Sequence, residues 1–214
     1  MQSLDFYFDF ISPYAYLAST RVEGIAERHG FAVAWKPFRL GVAVVKVMGL
    51  PPVMQTPLKS TYIRRDVRRL AQVLGQPFSG VTHETQPLPP ARALCAVEGA
   101  QRARLAKALL HAQWAQGRNI AETAVLLEVA AQEGIDPAGV ARALDDPATR
   151  EQVNATTREA IARGVFGSPT VAVGDEIFWG VDRLWMLDHY LAHGCSFAPM
   201  AGIDSAIREI AAPL

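Results

Sequence analysis

A serine stands where the first apolar stretch of this sequence gives way to a helix. Ser12 and Pro13 follow the residues LDFYFDFI. A hydroxyl group at the start of a helix can donate a hydrogen bond to an anion, and the helix dipole adds partial positive charge there. Serine before proline is also the usual pattern of an N-cap followed by the first helical residue. Ser12 is therefore a candidate anion-binding group, with a simple helix cap as the alternative.

Two more stretches combine polar side chains with turn residues. Ser168-Pro169-Thr170 precedes a short apolar run, and an ordinary proline at the start of a strand is one interpretation of it. Farther on, the sequence reads Trp179-Gly180-Val181-Asp182, where Asp182 is placed to cap the helix that follows. Both stretches lie near the end of the chain, far from Ser12.

Other residues whose side chains could react or bind a metal lack the spacing that a site would need. Cys95 and Cys195 form neither a CxxC pair nor a metal-ligand spacing, so we expect packing residues or inert thiols rather than a disulfide. His189 and His193 are four residues apart on one helix, but no carboxylate motif accompanies them. The sequence therefore predicts no metal site.

The composition limits the class of partner. The 214 residues include 21 basic and 21 acidic side chains, so no net charge attracts nucleic acid or an anionic membrane. A small, nearly neutral partner fits better. The N-terminus has no basic region followed by a long apolar run, and no apolar stretch approaches the roughly 18 residues of a membrane span. We expect a soluble, cytoplasmic protein without an export signal.

The first forty residues predict a β-α-β unit. Residues 4–10 alternate in a strand-like way, a helix is expected over 13–29 with Gly30 at its end, and residues 31–38 look like a second strand. After a segment interrupted by glycine and proline, the chain reads as helical from about residue 58 to 164. The expected helices cover 58–74, 91–116, 120–133, 137–144 and 147–163.

Strand character returns near the end of the chain. TVAVGDEIFW predicts two short strands around a Gly174-Asp175 turn, followed by a helix that starts at Asp182 and ends at Gly194. The β-α-β and β-β-α halves predict an α/β, thioredoxin-like fold with a large all-helical insertion. Residues 1–40 and 165–214 would form one discontinuous domain, and 41–164 the linker and insertion. This layout brings the end of the first strand near the Ser168-Pro169 turn.

Specific residues add a family resemblance over nearly the whole chain. FYFDFISPYAYLA, LKSTYIRRDVRRLAQVLG, GVFGSPT and GDEIFWGVDRLWMLDHYL together resemble the 2-hydroxychromene-2-carboxylate isomerase family. That family is related to kappa-class glutathione transferases and to the DsbA-like branch of thioredoxin folds. The resemblance implies a homodimer and a glutathione-dependent isomerase, which interconverts 2-hydroxychromene-2-carboxylate and trans-o-hydroxybenzylidenepyruvate or acts on a related aromatic catabolite.

The resemblance also implies the glutathione-binding residues. Ser12 would lie beside the glutathione sulfur and lower the pKa of a thiol that is ordinarily near 8.5. A cis bond before Pro169 would expose the backbone of Ser168 to the cysteinyl part of glutathione. The γ-glutamyl end would be bound by the tetrapeptide Trp179, Gly180, Val181 and Asp182, with Asp182 taking the ammonium group.

Substrate contacts are implied for three further residues. Lys46 matches a family lysine that contacts the carboxylate substrate, and solvated surface is the alternative. Gln55 lies near the position of a family asparagine, and His83 near a tyrosine of some relatives. The sequence departs from the family at Val181, where asparagine or serine is frequent, and at Ser168, where many relatives have an apolar residue.

Two alternatives to the isomerase remain, and a third is disfavoured. A kappa-like glutathione transferase would use the same Ser12 and Asp182 but release a stable conjugate. A non-catalytic binding module on this fold is the second alternative. A disulfide oxidoreductase is disfavoured, because SPYA stands at residues 12–15, where such an enzyme needs CxxC.

Overall fold

A computed structural model describes residues 2–194 of the chain. It begins with strand β1 (Gln2–Phe8), helix α1 (Pro13–Ser19), helix α2 (Val22–Arg28) and strand β2 (Phe31–Pro37). The single helix expected over 13–29 was wrong in one respect, since it is interrupted at Thr20 and Arg21. The Thr20 hydroxyl donates to the Leu17 carbonyl, and Arg21 has a non-helical φ of −125°. Side-chain hydrogen bonds of this kind compete with helix propagation.

The middle of the chain is helical, as predicted. A π-helical turn (Val42–Val47) and a 3-10 turn (Val53–Gln55) precede a series of helices. These are α3 (Lys59–Val73), α4 (Leu88–Ala93), α5 (Gly99–Trp114), α6 (Thr123–Gln132), α7 (Pro137–Asp145) and α8 (Pro147–Ala162). The helix predicted over 91–116 is divided, because Val97 and Glu98 have extended backbones after the 3-10 turn Leu94–Ala96.

The last elements form the predicted hairpin and helix. Strands β3 (Thr170–Val173) and β4 (Glu176–Trp179) are followed by a 3-10 turn (Val181–Arg183) and helix α9 (Leu184–His193). The prediction that Asp182 caps this helix was wrong. Asp182 lies inside the 3-10 turn, and Arg183 is the residue that precedes α9.

The four strands form one mixed sheet in the order β2-β1-β3-β4. β1 is parallel to β2 and antiparallel to β3, with Tyr7 opposite Thr170, and β3 is antiparallel to β4. Because β3 lies beside β1, the loop before Thr170 reaches the end of β1. The predicted α/β, thioredoxin-like fold is confirmed.

β1 is buried on both faces. Phe6 and Phe8 join a large core with helices of the middle region, whereas Tyr7 packs on the opposite side with Ala160 of α8. The large core contains residues of both predicted domains, which are the discontinuous domain of residues 1–40 and 165–214 and the linker and insertion of residues 41–164. That division stays a prediction, and residues 195–214 lie outside the described residues.

Within residues 2–194, no helix is both long and apolar enough to cross a membrane. Cys95 is half-buried in the 3-10 turn after α4, and burial raises the pKa of its thiol. This surrounding supports the interpretation of Cys95 as a packing residue. The other cysteine, Cys195, lies outside the described residues.

Candidate active site

The junction between β1 and α1 places Ser12 at a helix N-terminus. Pro13 occupies the first helical position, and the Ala15 N–H donates to Ser12 Oγ at 3.2 Å. The Ser12 N–H donates to the Asp9 carbonyl at 3.0 Å, which closes the loop between strand and helix. The N-cap predicted for Ser12 is therefore confirmed, and the remaining question is what else its hydroxyl binds.

The Ser12 hydroxyl also contacts the Ser168-Pro169 turn. Ser12 Oγ donates to the Ser168 carbonyl oxygen at 2.8 Å, and the peptide bond between Ser168 and Pro169 is cis. Ser12 and Ser168 are 6% and 8% exposed, so this hydrogen bond is largely shielded from water. The predicted proximity of the first strand's end and this turn is confirmed.

Helix α5 of the middle region fixes the same junction. The Phe10 carbonyl accepts hydrogen bonds from Gln113 Nε2 at 2.6 Å and from Trp114 Nε1 at 3.0 Å. Both donors are in the last turn of α5. A carbonyl that accepts two buried hydrogen bonds is held firmly, so the middle region positions the loop that carries Ser12.

Asp9 is a buried carboxylate that none of the sequence motifs indicated. Its Oδ1 accepts from the Ile11 N–H at 3.0 Å and its Oδ2 from the Leu40 N–H at 2.7 Å. Its own N–H donates to Ser168 Oγ at 2.9 Å. Asp9 thus connects the β1–α1 loop with the segment after β2 and with the cis-proline turn. The signal in the sequence was an acidic residue within the aromatic stretch YFDF.

Burial changes the acidity of Asp9. With only 1% of the residue exposed, desolvation raises its pKa to about 6. This pKa is lowered in turn by hydrogen bonds from the Ile11 and Leu40 N–H groups and by the positive charge of Arg39. Two backbone donors favour the carboxylate form, but they compensate only part of the cost of burying a charge.

The predicted tetrapeptide begins at the edge of the same turn. The Gly180 N–H donates to the Pro169 carbonyl at 2.9 Å. Trp179 is 52% exposed and packs edge to face on Phe166, with 4.9 Å between ring centroids. A Cβ atom on Gly167 would lie 2.1 Å from Trp179 Nε1, so only glycine permits this packing.

Asp182 lies at the exposed end of the tetrapeptide. Its side chain is 58% exposed, and its Oδ2 accepts a hydrogen bond from the Arg183 guanidinium at 2.6 Å. The half-buried Tyr14 donates to Asp66 Oδ2 at 2.8 Å. Burial, this hydrogen bond and the negative charges of Asp66 and Asp182 raise the pKa of Tyr14. Asp182 is therefore within electrostatic reach of a residue two positions from Ser12.

The three predicted substrate residues lie on other segments of the chain than Ser12, Ser168 and Asp182. Lys46 is exposed on the π-helical turn, where its neighbours Val45 and Val47 are also exposed, and Gln55 is exposed in the 3-10 turn. His83 lies in the loop before α4, and its buried Nε2 has no hydrogen-bond partner among residues 2–194. Within residues 2–194, no hydrogen bond or ion pair joins any of the three to Ser12, and their roles stay predictions.

The fold and these contacts define the class of protein. A mixed sheet with a cis-proline turn against the N-terminus of the first helix is a thioredoxin-like arrangement, here with a serine at the helix start. The model of the DSBA-like thioredoxin domain family matches residues 3–192, and the chain belongs to that family.

Individual relatives have more specific names than the family as a whole. The chain is 29% identical over 193 residues to 2-hydroxychromene-2-carboxylate isomerase of Pseudomonas putida. This alignment covers 90% of this chain and 95% of the relative. It is 27% identical to glutathione S-transferase kappa 2 of Caenorhabditis elegans, over 87% of this chain and 90% of that one.

Solved structures agree with the sequence relatives. A 2-hydroxychromene-2-carboxylate isomerase structure is similar with a TM-score of 0.82 and 28% identity, covering 89% of this chain and 95% of that chain. The resemblance inferred from the sequence motifs is confirmed.

Proposed function

We propose that this protein is a glutathione-dependent isomerase of the hydroxychromene-carboxylate type. The observation that supports this most directly is the Ser12 hydroxyl, buried at a helix N-terminus and hydrogen-bonded to the Ser168 carbonyl. The similarity to proteins named as isomerases and as kappa-class glutathione transferases adds to it. The substrate is 2-hydroxychromene-2-carboxylate or a related aromatic carboxylate.

The residues at the site fit the groups of glutathione. Among residues 2–194, no acceptor receives the Ser168 N–H, so this donor and the Ser168 carbonyl are suited to pair with a peptide backbone. The Asp182 carboxylate is exposed and suited to the γ-glutamyl ammonium group. Trp179, Gly180 and Val181 complete the proposed binding segment, and Gly180 connects it to Pro169.

The Ser12 hydroxyl has one hydrogen, and that hydrogen is donated to the Ser168 carbonyl. An amide N–H of the ligand would replace Ser12 as the donor to this carbonyl. The Ser12 hydroxyl would then turn toward the ligand's sulfur and, with the N-terminus of the helix, stabilise its anionic form. In this proposal Ser12 is catalytic, and ligand binding releases its hydrogen for that role.

Bound glutathione would supply a thiolate that adds reversibly to the conjugated double bond, permits rotation, and leaves again unchanged. The chain would stabilise the thiolate, orient the two reactants and enclose the aromatic group of the substrate. Lys46 would attract the substrate carboxylate, with Gln55 and His83 as further polar contacts. The exposed apolar side chains beside Lys46 would contact the aromatic ring.

A kappa-like glutathione transferase is the second candidate, since it would use Ser12 and Asp182 in the same way. The third is a binding module without turnover. The homodimer implied by the family resemblance and the cytoplasmic location expected from the sequence are also part of this proposal.

One assay separates these candidates. The purified protein is incubated with 2-hydroxychromene-2-carboxylate, with and without glutathione, and separately with glutathione and a chlorinated nitrobenzene. Isomerisation that requires glutathione without consuming it supports the isomerase. Conjugation without isomerisation supports the transferase, and glutathione binding without either reaction supports the binding module.

A further inference from the structure

Ser12 and Ser168 are hydrogen-bonded to each other at the proposed glutathione site, and the hydrogens of their two hydroxyl groups are used differently. Ser12 donates its hydrogen to the Ser168 carbonyl at 2.8 Å and accepts from the Ala15 N–H at 3.2 Å. Ser168 Oγ accepts from the Asp9 N–H at 2.9 Å. In the described part of the chain, no acceptor receives the hydrogen of the Ser168 hydroxyl. Ser168 therefore holds an uncommitted donor, whereas Ser12 does not.

We propose that the Ser168 side chain is a second catalytic donor, which hydrogen-bonds the glutathione sulfur together with Ser12. The inference rests on the glutathione site proposed above. Ser168 is 8% exposed, and a buried hydroxyl normally finds an acceptor. A thiolate bound beside Ser12 would supply one, and the new bond would stabilise the anion rather than the neutral thiol.

Asp9 holds the Ser168 hydroxyl in position. The Asp9 N–H bonds the hydroxyl oxygen, and the Asp9 carboxylate is bound by the Ile11 and Leu40 N–H groups. The oxygen is thus placed by a backbone segment that is itself fixed, while the hydrogen remains available. A hydroxyl group whose oxygen already accepts a hydrogen bond is also a better donor, because hydrogen bonds in a chain polarise one another.

This role differs from the backbone pairing that the family resemblance implies for this position. Backbone pairing requires only the Ser168 N–H and carbonyl, and an apolar residue would provide both. The second donor requires the hydroxyl itself. A pair of variants with nearly equal volume, Ser168→Thr and Ser168→Val, separates the two roles, because threonine keeps the hydroxyl and valine replaces it with a methyl group.

The pKa of the bound thiol is the decisive measurement. It is obtained by titrating the ultraviolet absorbance of the thiolate in the complex of each protein with glutathione. Loss of a hydrogen bond to a charged group should raise this pKa by about one to two units in Ser168→Val. Ser168→Thr should stay close to the wild type. Adding Ser12→Ala to each variant should shift the pKa further, as expected of two separate donors.

The outcomes distinguish this inference from the proposed function. If calorimetry finds no glutathione binding to the wild type, both fail together. If the wild type binds glutathione with a lowered thiol pKa and Ser168→Val keeps that pKa, only the second donor is refuted. Should circular dichroism find Ser168→Val unfolded, Ser168→Ala is titrated in its place, and a wild-type pKa there refutes the proposal equally.

Discussion

Ser12 Oγ and the Ser168 carbonyl oxygen lie 2.8 Å apart, although 156 positions separate the two residues in the chain. The contact joins the N-terminus of α1 to the cis-proline turn. It is also compatible with both roles considered for Ser12, the observed helix cap and the proposed activation of a thiol. Its oxygen caps the helix by accepting from Ala15, while its hydrogen is held by a carbonyl that a peptide ligand could take over.

Replacement of Ser12 tests the proposed activation of the thiol. In Ser12→Ala we expect turnover to fall and the pKa of bound glutathione to rise, because a donor to the thiolate is lost. The helix cap is lost as well, at a cost of about 0.5–2 kcal/mol in the free energy of unfolding. Circular dichroism at the assay temperature checks folding. A folded variant with wild-type turnover and thiol pKa would reduce Ser12 to a helix cap.

Replacement of Asp182 tests the proposed γ-glutamyl contact. Asp182→Asn should weaken glutathione binding by about 1–3 kcal/mol, the range for loss of a charged hydrogen-bond partner. The fold should be little affected, since the side chain is mostly exposed. Calorimetry measures the dissociation constant. Asp175→Asn, in the exposed hairpin turn, is the matched control, and equal affinities of the two variants would remove Asp182 from the site.

Replacement of Lys46 tests the substrate side. Lys46→Met should raise KM for the carboxylate substrate and leave kcat and glutathione affinity unchanged, because a point charge acts equally in the ground and transition states. Lys59→Met, at the exposed start of α3, is the control for charge alone. If both variants have the wild-type KM, Lys46 is solvated surface and another group binds the carboxylate.

The buried Asp9 predicts a specific dependence of stability on pH. Its pKa of about 6 in the folded chain exceeds the value near 3.9 expected after unfolding. The folded state therefore binds the proton more tightly, and the contribution of Asp9 is most favourable below about pH 4. Roughly 3 kcal/mol of it should be lost as the pH rises from 4 to 6, from the difference between these pKa values.

The comparison of wild type with Asp9→Asn isolates this effect from that of other carboxylates. Urea unfolding between pH 4 and 7 should show the wild type gaining stability relative to the variant as the pH falls. Asp175→Asn should show no such trend relative to the wild type. A difference between wild type and Asp9→Asn that stays constant over this range would contradict the raised pKa.

The unpaired nitrogen of His83 predicts opposite effects on stability and on binding. Nε2 is buried and has no hydrogen-bond partner in the described part of the chain, and an unsatisfied buried polar atom costs about 1–3 kcal/mol. His83→Phe should therefore raise the melting temperature. If His83 also contacts the substrate, KM rises in the same variant. A lower melting temperature with unchanged KM would show that His83 has a structural role instead.

Local patterns in the sequence were sufficient to predict the helix cap and the hairpin near the site. Ser12 before Pro13 predicted the cap, because capping depends on residues within one turn. Gly174-Asp175 predicted the β3–β4 hairpin for the same reason. The motifs around Ser12, Ser168 and Trp179 together indicated the family, and the thioredoxin layout predicted that the end of the first strand lies near the Ser168-Pro169 turn.

What the tertiary structure decided is which distant groups meet. Asp9 binds the Leu40 N–H and bonds Ser168 through its backbone, and Phe10 receives donors from Gln113 and Trp114. No local pattern identifies such partners, because they depend on the packing of segments far apart in the chain. The same packing buries Asp9 and thereby raises its pKa, and it commits the hydrogen of Ser12 to the Ser168 carbonyl. Within residues 2–194, no acceptor receives the hydrogen of the Ser168 hydroxyl.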